Sequence, residues 1–98
     1  MRPPQIENLL EVVATLVEKG NFRFSEHAIQ RRKERRISPQ DAVYILKTGY
    51  HEKQKTSFDE IYKTWKYAIR GKTLDREDVR VIIPIVEKLI VITVIRLK

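Results

Sequence analysis

His27, Arg31 and Arg35 recur every four residues within Ser25-Glu26-His27-Ala28-Ile29-Gln30-Arg31-Arg32-Lys33-Glu34-Arg35-Arg36. On a helix that spacing places all three on one stripe. An imidazole titrates near neutrality and a guanidinium keeps its charge, so the trio has the chemistry of phosphate handling, proton transfer beside fixed cations. From Arg31 to Arg36 every side chain but Glu34 is cationic, and each like-charge pair four residues apart costs a helix roughly 0.2–0.5 kcal/mol. Cations near a helix C-terminus recover part of that cost through the macrodipole, and an anionic ligand would offset the rest. The plainer alternatives are a solvated basic helix face for the run and a helix-start cap or packing role for His27.

Metal-free RNA cleavage needs a base for the ribose 2′-OH proton, cations to hold the phosphate as it gains charge, and an acid for the leaving 5′-oxygen. His27 suits the base or acid role. Arg31 and Arg35 suit bidentate phosphate clamping, with Arg32, Lys33 and Arg36 extending the basic surface. A second group of cations, Lys66, Arg70, Arg80 and Arg96, lies in the C-terminal half. Tyr62, Lys63, Trp65, Lys66 and Tyr67 interleave aromatic and basic residues, the composition of a single-strand stacking platform. Trp65 and Tyr67 alternate with Ile69 and read as core, which leaves Tyr62 as the exposed stacking candidate. His51, beside Glu52 and Lys53, reads as a surface residue. The acid pairs Asp59-Glu60 and Glu77-Asp78 sit in loop-like segments with no third ligand in view, so metal catalysis is rejected and no cofactor is expected.

The whole chain leans the same way, with 20 Lys and Arg against 13 Asp and Glu, a net charge of +7. That balance favours nucleic acid as partner over a membrane surface, because the bases are not laid along an amphipathic helix with an aromatic insertion face. No apolar run is long enough to span a bilayer. The start, Met1-Arg2-Pro3-Pro4-Gln5-Ile6-Glu7, lacks the apolar region of a signal peptide, and a cytoplasmic location is expected. With no cysteine and two histidines there is neither a disulfide framework nor a structural zinc centre. The 98 residues read as a single domain over 1–98 that must stand on its core.

The elements that would position these residues follow from periodicity. Ile6, Leu9, Leu10, Val13, Leu16 and Val17 fall at helical spacing, and Gly20 stops that first helix. Phe22 and Phe24 flank Arg23 in a short extended link. Ser25 N-caps the basic helix, whose only clear apolar residues are Ala28 and Ile29. Ser38-Pro39-Gln40-Asp41 supplies the cap, N1 proline and N3 carboxylate of a third helix ending at Gly49, with Ile37 as a hydrophobic staple. Beyond Gly49 the period becomes two. Residues 50–56 read as a polar edge strand, and Tyr62 to Arg70 alternates Trp65, Tyr67 and Ile69 against Thr64, Lys66, Ala68 and Arg70. Gly71 to Asp78 reads as a turn or loop. Val79 to Val86 and Leu89 to Leu97 read as a hairpin across Glu87-Lys88, with Pro84 marking an edge or a bulge. A two-residue turn sets Arg80 opposite Ile95 and sends Arg96 to the other face, whereas a three-residue loop centred on Lys88 brings the two arginines together. The fold class is α+β, three N-terminal helices packed on a three- to four-stranded, mainly antiparallel sheet whose other face is free to bind.

The pattern Ser25-x-His27-Ala28-x-x-Arg31-x-x-x-Arg35-x-Ile37-Ser38, followed by a helix ending at Gly49, Tyr67-x-x-x-Gly71-Lys72-Thr73 and a closing Val91-Ile92-Thr93-Val94, resembles a small bacterial and archaeal domain family without an assigned function. That family is similar to the toxin MqsR and, more distantly, to the RelE-type mRNA interferases. The resemblance implies a compact ribonuclease-toxin fold encoded beside an antitoxin that neutralises it. In the RelE-like toxins the working cations and a tyrosine lie on the sheet, which implies such roles for Lys66, Arg70, Arg80 and Arg96 here; the alternating register puts Arg96 in doubt.

Two functions from different classes stand on these residues. One is a metal-independent endoribonuclease toxin that cleaves single-stranded RNA, ribosome-borne mRNA included, with a cognate antitoxin as partner. The other is a non-catalytic RNA-binding or partner-dependent regulatory module using the same basic face.

Overall fold

The structure, a computed structural model, describes residues 2–97. The first helix, α1, spans Leu9–Glu18 and buries Leu9, Val13 and Val17, one residue per turn of its apolar face. It ends in a two-bond cap: Asn21 N–H donates to Leu16 O and Gly20 N–H to Val17 O. That cap requires the left-handed backbone that Gly20 adopts at φ 73°. Strand β1 (Phe22–Phe24) follows, then α2 (Glu26–Glu34) and α3 (Pro39–Thr48). Ser25 caps α2 by accepting from Ala28 N–H at 3.1 Å. Ser38 and Asp41 form a reciprocal capping box on α3, and Ile37, the residue before that cap, is buried.

The remaining elements are β2 (Tyr50–His51), a 3₁₀ turn over Lys53–Lys55, β3 (Ser57–Asp59), β4 (Thr64–Lys72), β5 (Asp78–Pro84), β6 (Leu89–Val91) and β7 (Thr93–Arg96). Strands β2, β3, β4, β5 and β7 form one antiparallel sheet: β4 and β5 run down its centre, β7 lies on one edge, and β2 and β3 share the other. Its inner face contributes Tyr67, Ile69, Val79, Val81, Ile83 and Val94 to the core, together with Ile45 and Leu46 of α3 and the apolar stripe of α1. The Tyr67 hydroxyl, buried there, accepts from Ile6 N–H at 3.0 Å. The alternation expected for Trp65 to Arg70 holds, with Lys66, Ala68 and Arg70 on the face away from the helices.

The fold is α+β, and it corrects the expected architecture in three places. The helices do not form one N-terminal block, because β1 separates α1 from α2 and a 3₁₀ turn follows β2. The strands exceed the expected three or four: a short hairpin adds β3, which pairs with β4 through Phe58↔Trp65. Its turn is closed by the Asp59 carboxylate, which accepts from Ile61 N–H and Tyr62 N–H. Residues 50–56 therefore yield only the two-residue β2 rather than a full edge strand.

The third correction concerns the C-terminal hairpin. Ile85 bridges Leu89 around the three residues 86–88, yet farther on Ile82 pairs with Thr93. Three residues, 90–92, thus oppose two, 83–84, which is a bulge. The bulge swings β6 away to pair in parallel with β1, Phe22↔Leu89 to Phe24↔Val91, in a separate two-stranded sheet. It also resets the register, so that Arg80 lies opposite Ile95 and Arg96 opposite Val79. Pro84 ends β5 beside this bulge, where a missing N–H is tolerated. Arg80 and Arg96 consequently face opposite sides of the sheet, as expected for a two-residue turn, although the tip itself has three residues.

Among the described residues no helix is long and apolar enough to cross a membrane.

Candidate nucleic-acid interface

Helix α2 packs along β7 and β1, held at its start by Ser25 N–H donating to Val91 O and by the Ser25 hydroxyl reaching Ile92 O at 3.4 Å. Ala28 is its one fully buried residue, so the helix presents most of its surface outward. His27 is exposed in the first turn. The Arg31 Nε–H points at His27 Nε2 across 3.5 Å, an arrangement in which the neutral imidazole carries its proton on Nδ1. Arg31 also reaches Glu34 at 3.4 Å with both side chains about half exposed, a contact that solvent screens heavily.

The cations of the run separate into two groups. Arg31, Lys33 and Arg36 are exposed. Arg32 and Arg35 are half-buried braces. Arg32 donates to Ile37 O at 3.0 Å and lies over the Phe24 ring at 5.9 Å, while its Nε is buried without a partner. Arg35 donates to Val94 O at 2.9 Å, tying the end of α2 to the sheet edge. Arg96 donates to Arg35 O and pairs with Glu77 at 3.3 Å. The expected stripe of His27, Arg31 and Arg35 is thus broken at its third member, because Arg35 spends its guanidinium on backbone.

The outer face of the sheet carries the second group. Arg70 and Arg80 stand directly opposite on β4 and β5, a like-charge cross-strand pair that would be destabilising if uncompensated. Glu52, just beyond β2, sits between them, accepting from Arg80 Nε at 2.6 Å and from Arg70 Nη1 at 3.1 Å. Asp78 takes Arg70 in a fork, Nε at 3.1 Å and Nη2 at 2.5 Å. The Glu52, Asp78 and Arg80 side chains are about 85% buried and Arg70 about two-thirds. Arg80 above all, aided by Arg70, holds the Glu52 carboxyl below its usual range against the opposing effect of burial. Arg70 does the same for Asp78, and Asp78 and then Glu52 in turn fix the Arg70 guanidinium in its charged form. Lys66 shares this outer face nearer the Pro84 end.

The expected site residues are therefore joined in pairs, Arg70 with Arg80 on the sheet, Arg96 with Arg35 O at its edge, and His27 with Arg31 on a helix that packs on β7 and β1. Tyr62 is 78% exposed at the tip of the β3–β4 hairpin, as expected for a residue free to stack. Trp65 packs edge-on against Phe58 and donates to Pro3 O. His51 corrects the expectation of a surface residue: it packs edge-on against Tyr67 and hydrogen-bonds Thr56 Oγ1 at 2.9 Å. Burial, followed by repulsion from Lys53, lowers its pKa. Glu52 and Asp78 were not among the expected site residues. Their signal was indirect, since any register that opposes Arg70 to Arg80 demands a carboxylate between them. Among the described residues no three His, Asp or Glu side chains gather into a metal-ligating group.

No curated protein and no solved structure matches the chain. A family model described as "Domain of unknown function (DUF4258)" matches residues 24–96, from the last residue of β1 through the end of β7. That span holds α2 and the whole five-stranded sheet, hence both basic regions, and leaves out only α1 and the start of β1, so the chain belongs to the DUF4258 family.

Proposed function

We propose that the protein is a metal-independent endoribonuclease acting on single-stranded RNA, as the toxin of a toxin–antitoxin pair. The observation that carries this reading is the exposed His27 imidazole set against the Arg31 guanidinium on α2, with Lys33 exposed on the same helix and Arg36 exposed just past its end. Arg31 holds the phosphate and stabilises its developing charge; His27 moves the proton of the 2′-OH or of the leaving 5′-oxygen. The net charge of +7 draws the strand in. The domain family that the Ser25-to-Ser38 pattern resembles is itself similar to MqsR-like and RelE-like interferases, which supports RNA cleavage as the activity, whereas the His27 and Arg31 roles rest on α2 alone; an acidic antitoxin segment would cover that surface. Cleavage should yield 2′,3′-cyclic phosphate and 5′-hydroxyl ends and persist in EDTA. His27→Gln should slow it by roughly 10²–10⁴ with little change in RNA affinity. Cleavage that needs a divalent metal, or a His27→Gln rate equal to that of the unaltered chain, would overturn the assignment.

A second reading, RNA binding without turnover, is favoured by one feature. Arg70 and Arg80, the sheet cations that a RelE-like mechanism would use, donate to Glu52 and Asp78. An intact chain that binds RNA, cuts none and arrests no growth on overproduction would establish that reading instead.

A further inference from the structure

A cavity of about 470 Å³ lies at the corner where the C-terminus of α3 meets β2 and the adjoining ends of β4 and β5, within the size range of small-molecule sites. Tyr44, Thr48, Tyr50, Arg70, Lys72 and Asp78 supply its side-chain walls. Two features set it apart from a mere crevice. Tyr44 and Tyr50 are large aromatic rings left 38% and 53% exposed, and the cations beside them keep donors to spare. Lys72 is 64% exposed and only loosely paired with Asp78, at 4.0 Å. Arg70 commits three N–H groups, two to Asp78 and one to Glu52, of the five a guanidinium owns. Tyr50 stands directly opposite Arg70 across the β2–β4 pairing, so ring and guanidinium share a face.

This geometry exists because α3 is pressed against β4. A Cβ on Gly49 would meet Arg70 O at 2.6 Å and Ile45 O at 2.7 Å, so only glycine lets the chain leave the helix here and deliver Tyr50 next to Arg70. The charges also orient a ligand. The C-terminal end of α3 carries partial negative charge, which repels an anion near Thr48 and leaves Lys72 and the free N–H groups of Arg70 as the anionic end. Tyr44 contributes its ring from the helix and Tyr50 from the sheet, beside Arg70.

We propose that this corner binds one nucleotide of the RNA strand, its base stacked on Tyr50 against Tyr44 and its phosphate held by Lys72 and Arg70. Resting on RNA as the ligand, the inference adds a base-binding site away from α2. Stacking on an exposed ring tolerates any base, and the paired cations supply the phosphate contact that stacking alone lacks.

The test uses the full chain with adenosine 5′-monophosphate, adenosine and inorganic phosphate as separate probes, followed by amide NMR shifts and calorimetry. The monophosphate should shift the amides of Thr48, Gly49, Tyr50 and Lys72, and bind about tenfold more tightly than adenosine or phosphate alone. Tyr50→Ala and Lys72→Ala should each weaken it about fivefold or more, the lower end of what stacking contributes. Tyr50→Phe should restore most of the loss, and Lys88→Ala, the same charge removed from a distant turn, should change nothing. Phosphate binding as tightly as the monophosphate would mark an anion site only and overturn the proposal, as would shifts confined to other regions or an equal loss on Lys88→Ala. The nuclease reading fails separately: a chain that binds the monophosphate here but cuts no RNA keeps this site, whereas one that cuts RNA unchanged by Tyr50→Ala and Lys72→Ala loses it.

Discussion

Helix α2 and the outer face of the sheet are both rich in arginine, yet their cations do opposite work. On α2 and just past its end the guanidinium of Arg31 and the charges of Lys33 and Arg36 face solvent, with Glu34 as a half-exposed neighbour. On the sheet Arg70 and Arg80 are locked between Glu52 and Asp78, mostly out of water. A net charge thus overstates what a phosphate can reach. Charges answered inside the fold hold strands together, and those left unanswered are available to a ligand. The comparison also places the two kinds of cost: losing a sheet carboxylate strands two charges face to face, whereas losing a rim cation strands none.

The largest effect expected from this difference is on stability. Glu52→Ala leaves Arg70 and Arg80 opposed across β4 and β5 with one shared acceptor gone. The penalty should be about 2–3 kcal/mol, between that of an exposed pair and that of a fully buried one. In a domain of this size it lowers the melting temperature by roughly 10–20 °C. A calorimetric or circular-dichroism melt within a few degrees of the unaltered chain would show that the network contributes nothing and that the sheet arginines are as available as those of α2.

The same network fixes the pH dependence. Glu52 and Asp78 are both held below their ordinary values, 4.5 and 3.8. A depressed carboxyl contributes stability that is fully present above its unfolded pKa and is lost as pH falls through its folded one. Denaturant titrations should therefore show a plateau above about pH 5 as far as these two groups are concerned, and a decline below pH 4 as each takes up a proton. His51, whose pKa is lowered by burial and then by Lys53, adds a shallower loss that begins below its ordinary 6.5. Glu52→Gln should remove the Glu52 share of the steep acid limb, leaving that of Asp78 and the shallow one. A Glu52→Gln profile that parallels the original would remove Glu52 as the source.

A smaller effect is expected at the start of α2. Ser25→Ala removes the acceptor for Ala28 N–H and the link to Ile92 O, at about 1 kcal/mol. Because α2 has a single fully buried residue, the loss should concentrate in its first turn, where His27 sits. Hydrogen exchange should quicken at the amides of Ala28 and Ile29 ahead of the rest of the chain. Uniform acceleration would place the cap's effect in global stability instead.

How much of this was legible in the sequence depends on the range over which each feature is decided. The caps at Ser25 and Ser38, the stop at Gly20 and the inner–outer alternation from Trp65 to Arg70 rest on residues within a turn or a strand of one another, and all formed as read. The parallel pairing of β1 with β6 was not legible, because it follows from a bulge whose extra residue lies in an uninterrupted run of Leu, Ile and Val. Strand β3 escaped for want of apolar alternation in three residues. At the candidate site the basic residues were visible, but which of them remain free was not. Arg35 and Arg70 look alike in sequence to Arg31, and only the tertiary register brings Val94 O to one and Asp78 to the other.

The smallest structural effect, and the sharpest test of the difference between the two regions, is expected from Arg31→Ala, Lys33→Ala and Arg36→Ala together. All three side chains are exposed, so the triple variant should keep its unfolding free energy to within about 0.5 kcal/mol per substitution. Arg36 adopts φ 57°, a backbone that alanine tolerates no worse than arginine, so that position adds no conformational penalty of its own. RNA binding should change instead. Each phosphate of a single strand that the chain no longer neutralises removes about 0.7 from the slope of log affinity against log salt, so three should lower the slope by about 2. Measured by filter binding across a salt series, an unchanged slope would mean that RNA reaches the chain elsewhere, and the exposed α2 surface would be solvated charge with no ligand. A slope reduced by that amount at unchanged stability would mark Arg31, Lys33 and Arg36 as cations held for a ligand, in contrast to Arg80, whose guanidinium Glu52 occupies.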